Sequence, residues 1–537
     1  MTILLYLNAN IYTMDDQQPR AQAMAIDTQS GRILALGSND EVRRYSDRFS
    51  QHLDLRGKTV IPGFIDAHIH LISTAYRSHH VDARDTSSED AVIERVRERV
   101  SQTPKGHWIQ GGQWDKNQWP GNNFPTKASL DAVAPDHPVV LWSKDGHLLW
   151  VNSLALQRAG INAQTPEPSN GAILRDGSGE PTGILQEDGA TALVYRVIEE
   201  PPLVLNRALL RGILPQLASS GITTIHDIEG ENTLKLFQEL RDENQLKTRV
   251  QMILPRHMLP QMRTYGINNE QNDLLRVAGI KIFADGTLGS QTAAMLESFE
   301  GNSGNYGILS TQEQEMQDAV NDATEMGLTI AIHAIGDRAA RVALDAIERA
   351  QMLIAEQGTT EASASGLRYR LEHVQLIAPE DLVRMRRMGV IASIQPFHAV
   401  ADRDLAERYW GKRSRRAYAY RTMHDMGIPI ALGSDAPVET FDPLRIISAA
   451  TLRRDPALQR PAWLPDQALS INDAIRAYTM GAAYAAGEEE QKGSLRVGKL
   501  GDAIVLREDI FTVPQEKMTE NGVQATILGG NLIYGQI

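Results

Sequence analysis

No cysteine occurs in the 537 residues, so disulfides and thiolate ligands are excluded. Any metal held by this chain must take its ligands from His, Asp, Glu or a modified Lys. The lack of disulfides fits a reducing compartment. No apolar run approaches the ~20 residues that span a bilayer. The opening segment MTILLYLNANIYTMDD has neither a basic leader nor a small-residue cleavage site and reads as a strand rather than a signal peptide. Positive charge is also short, with 54 Lys and Arg against 67 Asp and Glu and a formal net charge of -13. Nucleic acids and anionic membrane surfaces both require clustered Lys and Arg, so neither is expected as a partner. These absences leave a soluble, cytoplasmic chain acting on a small molecule, with a homo-oligomer left open.

The length accommodates a barrel and something more. Both ends are β-rich. Ile3–Leu7, Ala23–Asp27 and Ile33–Gly37 alternate with the turn signal Ser30-Gly31, and the tail offers Gly501–Leu506, Ala525–Leu528 and the hairpin signal Gly529-Gly530-Asn531. Residues 1–60 and 489–537 are therefore expected to pair into one small β-sandwich. Between them, eight apolar runs alternate with helical stretches such as Glu313–Met326 and Arg338–Glu356. The runs are Thr59–Ile65, Gly221–Ile228, Arg249–Pro255, Ala278–Ala284, Leu328–Ile335, Tyr369–Val374, Val390–Gln395 and Pro429–Leu432. Eight strand–helix alternations argue for an α/β fold, a (β/α)8 TIM barrel over residues 61–488.

The gap after the first run, residues 71–220, is too long for one βα connection. It carries Trp108, Trp114, Trp119, Trp142 and Trp150. An insertion at this point leaves the barrel on its catalytic face, so it is expected to act as a lid or pocket wall. The alternative is a satellite module whose tryptophans form its own core.

Chemistry concentrates in Pro62-Gly63-Phe64-Ile65-Asp66-Ala67-His68-Ile69-His70. Two His at i and i+2 on a strand face the same way. At the end of a barrel strand, both can reach one metal. His333, His373 and Asp435 follow at the ends of the fifth, sixth and eighth runs. Each alone could be structural; together, in strand order, they form a set suited to a divalent ion. Lys281 lies inside the fourth run, where a charge is costly. Burial lowers an amine's pKa, and a neutral amine can take up carbon dioxide to give a carbamate, a two-oxygen anion able to bridge two cations.

The motifs PGFIDAHIHL, KIFADGTLGS, HAIGDRA, LEHVQ and GSDAP, spread from residue 61 to 438, together with DGHLLWVNSLAL in the insertion, resemble the amidohydrolase superfamily and, within it, the YtcJ-like branch that includes N-substituted formamide deformylase. The resemblance implies two Zn2+ ions. His68, His70 and Asp435 would hold the first, His333 and His373 the second, and carboxylated Lys281 would bridge them. It also implies the terminal β-sandwich. The expected reaction is hydrolysis of a C–N bond of amide or N-formyl type by metal-activated water, with Asp435 as the base and a small, hydrophobic substrate. His147, Trp114, His226, Asp285, Gln291 and His398 are the candidates for lining the substrate pocket. A deaminase or an ester or carbamate hydrolase would use the same centre. A catalytically inactive binding or regulatory protein would show lost ligands, and none is lost.

Overall fold

The computed structural model describes residues 3–77, 80–84, 86–143, 148–168, 171–198, 202–265, 273–289, 291–356, 367–458 and 460–537. The chain divides into two compact units, Ser73–Leu209 and the remainder.

In the larger unit, eight parallel strands follow one another in sequence order around a single sheet. They are β1 (Phe64–Ile69), β2 (Ile222–Asp227), β3 (Arg249–Pro255), β4 (Leu275–Phe283), β5 (Thr329–Ala334), β6 (Tyr369–His373), β7 (Ile391–Ile394) and β8 (Ile430–Leu432). The chain leaving β8 is tied to the end of β1 by Asp435 N–H to His68 O, 2.7 Å, and His70 N–H to Ala436 O, 2.9 Å. The result is the expected (β/α)8 barrel. Its helices bury one face each. In Asp337–Glu356, Ala339, Ala340, Ala343, Leu344, Ile347 and Ala350 recur at helical spacing and are buried.

The sequence run Thr59–Ile65 divides into two strands. Thr59–Pro62 belongs to a separate sheet, pairing with Ala503–Leu506 on one side and Asn10–Tyr12 on the other. The barrel strand begins only at Phe64. Gly63 makes the transfer: a Cβ there would stand 2.3 Å from the Thr223 hydroxyl of β2, so no other residue fits the crossing. The terminal segments build the expected sandwich. One layer orders Arg32–Gly37, Ala23–Asp27, Ile3–Leu7 and Gln51–Asp54; the other runs from Asn531–Gly535 to Arg20–Ala21. Tyr6, Ile11, Met24, Ile26, Val60, Val505 and Ile527 pack together in its core. Gly529 and Gly530, at φ 54° and 80°, form the tight turn of the last hairpin. Asp502 does more than turn the chain, because its carboxylate is buried against the Arg249 guanidinium at 2.6 and 2.9 Å.

The smaller unit has a six-stranded sheet of its own, running from Ala172–Arg175 at one edge to Val81–Asp82 at the other. Trp114, Trp119 and Trp150 interlock in its core with ring centroids 5.9 to 6.4 Å apart. Trp114 is 1% exposed and its indole N–H donates to Leu141 O at 2.8 Å. The expectation that Trp114 lines a substrate pocket is therefore corrected, since both its faces and its polar atom are spent on packing. Among the described residues, no helix is long and apolar enough to cross a membrane.

Candidate metal centre

On β1 the alternation of a strand places Asp66, His68 and His70 on one side. His68 and His70 each turn Nε2 toward Asp435 Oδ1, at 3.3 and 3.4 Å. Their Nδ1 atoms face protein acceptors: His68 meets Glu372 Oε2 at 2.5 Å and His70 meets the carbonyl of Ile228 at 2.8 Å. A ring nitrogen that donates to an acceptor leaves the other nitrogen's lone pair for a metal. Asp66 sits beneath, accepting from the backbone N–H of His68 and of Ser434 at 3.1 and 2.9 Å; burial pushes its carboxyl up to about 6. Gly433 permits this closure, for a Cβ there would lie 2.6 Å from His68 N.

Asp435 uses both oxygens. Oδ2 lies 3.4 Å from His398 Nε2 and 3.9 Å from His373 Nδ1. Burial works to raise its pKa, but His68, His70 and His398 outweigh it and hold the carboxylate well below its usual range. Asp435 and His373 both adopt left-handed backbone, φ 56° and 76°, which non-glycine residues hold only where the surroundings enforce it. For His373 the turn is decisive. Arg370 and Glu372 occupy the inward positions of β6, so regular alternation would send the next side chain outward.

His333, beside Glu372 in the β5–β6 register, brings its ring within 4.5 Å of the His373 ring, centroid to centroid. Its Nε2 stands 3.0 Å from Gly286 O, and Nδ1 is its other ring nitrogen. Burial holds His333 down to about 4, and burial likewise takes His68 and His373 well below the ordinary imidazole value. Burial thus disfavours the charged form of these three rings, and the uncharged imidazole is the form that binds metal.

Lys281 is 2% exposed, and its Nζ has no hydrogen-bond partner among the described residues. Burial pulls the amine down to about 8 against the attraction of Glu372 and Asp435. Ile280 and Ile282 alternate with Lys281 along β4 and are themselves fully buried, and the half-exposed Phe283 ring lies 5.1 Å from Nζ.

The remaining candidates separate. His398 joins the centre: it stacks on His373 at 5.7 Å and faces Asp435. His226 lies in the barrel interior beside Arg370. It is buried, with Nδ1 3.0 Å from an Arg370 nitrogen. Asp285 is a brace, its carboxylate accepting from the backbone N–H of Ala294, Ile335 and Gly336 at 2.8 to 3.1 Å; burial raises it to about 7. The side chain of Gln291 accepts from Asn302 at 3.3 Å and serves its own loop. His147 lies outside the described residues. The sequence reading missed Arg370 and Glu372, although their i, i+2 spacing on an apolar strand was a visible signal, and it missed Asp66, which continues the alternation of the two histidines.

The donor set suits a divalent cation. His68, His70 and Asp435 can close on one point, and so can His373, His398 and Asp435. Lys281 Nζ, His373 Nδ1 and His398 Nε2 are buried without hydrogen-bond partners among the described residues. Buried polar nitrogens are seldom left so, and the two histidine nitrogens beside the Asp435 carboxylate fit a cation-binding cavity.

The amidohydrolase family model matches residues 51–534. This chain belongs to the amidohydrolase family. It is 33% identical to Protein LONG AFTER FAR-RED 3 of Arabidopsis thaliana, over 99% of this chain and 91% of that one. It is 30% identical to the putative amidohydrolase YtcJ of Bacillus subtilis over 98% of each chain. It is 29% identical to the N-substituted formamide deformylase of Arthrobacter pascens, over 99% of this chain and 98% of that one. The crystal structure of an uncharacterized metal-dependent hydrolase from Pyrococcus furiosus superposes with a TM-score of 0.79 at 27% identity, covering 95% of this chain and 100% of the other.

Proposed function

We propose that this amidohydrolase family member hydrolyses a C–N bond of amide or N-formyl type in a small, hydrophobic substrate, at a centre of two divalent ions, zinc by ligand chemistry. His68, His70 and Asp435 would hold one ion, His333 and His373 the other, and a carboxylated Lys281 would supply the anionic oxygens shared by the two. A bound divalent ion would lower the pKa of a coordinated water to ~7 and polarise the scissile carbonyl. The observation that carries the reading is the convergence of four imidazoles, those of His68, His70, His373 and His398, on Asp435, together with an unpartnered buried lysine. The likeness to a named formamide deformylase over nearly the whole chain supports the bond type.

Within this reading Asp435 removes the proton from the nucleophilic water and returns it to the leaving nitrogen, which departs poorly as an anion. His398, 3.4 Å from Asp435 Oδ2, keeps that oxygen oriented. Lys281, with its amine near pKa 8, is partly neutral at physiological pH and so able to take up carbon dioxide. A cytoplasmic location belongs to the same proposal, supported by the absence of cysteine.

The test is a panel of N-formyl and N-acyl amines, matched esters, carbamates and aminated heterocycles, offered to the zinc-loaded protein with and without chelator. Chelator-sensitive release of an amine from the formyl or acyl amines is expected. Turnover confined to the esters, or to ring deamination, would overturn the bond assignment.

A further inference from the structure

The barrel interior beneath the centre is charged where such cores are ordinarily filled by branched aliphatic side chains. Arg370 and Glu372, both 0% exposed, take alternate positions on β6. The guanidinium reaches across the barrel. Nε donates to Glu372 Oε1, Nη1 lies 3.0 Å from His226 Nδ1 on β2, and Nη2 donates to Ala67 O on β1 and, at 3.1 Å, to Ser393 Oγ on β7. β2 and β6 are four places apart in the ring, so this contact passes through the interior.

Glu372 thus has one oxygen on Arg370, and its other, Oε2, is 2.5 Å from His68 Nδ1. Gln395 Nε2 stands 3.5 Å from the same nitrogen, too far to compete. The partner of His70 differs in kind, a neutral backbone carbonyl at 2.8 Å. A carboxylate draws the shared proton more strongly than a carbonyl does and leaves more negative charge on the ring, which makes the opposite nitrogen a better metal donor. Bracing alone would not need this arrangement, because apolar residues of similar volume commonly replace a buried ion pair without loss.

We propose that Glu372, itself held by Arg370, is the positioning residue that fixes His68 in its Nδ1–H tautomer and strengthens Nε2 as a metal ligand. The proposal rests on the metal-centre reading above. It makes the two histidines of the DAHIH motif unequal, with His68 the stronger ligand.

The experiment titrates metal-free protein with Zn2+ alone against a chromophoric chelator. It compares wild type, Glu372→Gln, Glu372→Ala and the double variant Arg370→Met/Glu372→Gln, with the thermal midpoint of each metal-free protein recorded. Glutamine retains an acceptor oxygen but no charge, so zinc affinity should fall about 10-fold; alanine retains neither and should lose about 100-fold. This graded order, with partial rescue by glutamine, is a readout that a bracing role would not give. Single variants leave the Arg370 charge buried and unpaired and can fail to fold. The double variant removes both charges, and it should fold with a thermal midpoint near wild type and still bind zinc about 10-fold more weakly. The visible bands of the Co2+-loaded protein should shift in every folded variant. Wild-type zinc affinity in a folded variant overturns the role of Glu372 and leaves the metal centre standing. A wild-type protein that binds no zinc overturns both.

Discussion

His68 and Asp435 are joined twice. Asp435 N–H donates to His68 O at 2.7 Å, and Asp435 Oδ1 lies 3.3 Å from His68 Nε2. The backbone contact closes the barrel between its first and last strands, and the side-chain contact lies at the centre of the donor set. The residue pair that closes the barrel therefore also belongs to the site. Asp435 also presents Oδ2 to His373 and His398, so a single carboxylate meets histidines carried by the ends of β1, β6 and β7.

Replacing that carboxylate gives the first prediction. Asp435→Asn keeps the size and most hydrogen bonding but accepts no proton. Turnover of any substrate found should fall by ~10²–10⁴, with the far-ultraviolet circular dichroism spectrum unchanged. Near-normal turnover would remove Asp435 from the role of base.

Lys281 gives the second. Its Nζ is buried without a partner among the described residues, and a carbamate there would be coupled to metal loading. Lys281→Ala should lose most bound metal and most activity, and added short carboxylic acids should restore part of both. Full metal content and rate in the unaided variant would mean that no carboxylated lysine bridges the ions and that a mononuclear site of His68, His70 and Asp435 is the better description.

The third concerns stability and pH. Asp502 and Arg249 form a buried pair at 2.6 and 2.9 Å. Burial works to raise the Asp502 pKa, and Arg249 outweighs it, so the carboxyl is held below its ordinary value. A carboxyl depressed in the folded state contributes stability above its unfolded pKa of ~3.9, and that contribution is lost as pH falls through the folded pKa. Asp502→Asn should therefore cost about 3–5 kcal/mol at pH 7, because it strands the guanidinium. The gap to wild type should narrow as pH drops below about 4. Denaturant midpoints of both proteins at pH 7 and in acid measure this. A gap independent of pH would contradict it.

The smaller unit gives the fourth. Trp114 is a core residue of that unit, so Trp114→Ala should destabilise it by about 3–5 kcal/mol, seen as faster proteolysis within Ser73–Leu209. The metal bound per chain should stay the same. Loss of metal without loss of protease resistance would show that Trp114 serves the centre.

Much of this was legible in the sequence, and the reasons can be stated residue by residue. His68 and His70 were readable as a pair because side chains two apart in extended chain face the same way, and both turn Nε2 toward Asp435. The barrel was readable because eight buried parallel strands are apolar runs separated by amphipathic helices. Glu372 was hidden by the alternation of the strand, which assigns the inward face to either Glu372 or its neighbour His373. In a regular strand the two cannot face the same way, and only the left-handed φ of 76° at His373 lets both serve one site. The start of β1 was misplaced because Thr59–Ile65 is one apolar run, while the break at Gly63 depends on Thr223, far away in sequence. Trp114 was assigned to a pocket because composition reports how many aromatic rings a segment has and not which way they face.

The central claim is that these side chains form a metal centre, and the most direct measurement is elemental analysis of protein purified without chelators, read beside its activity. Close to two zinc or similar divalent ions per chain are predicted, lost together with activity on chelation and regained together on adding Zn2+. A fully active protein containing no transition metal would contradict the account.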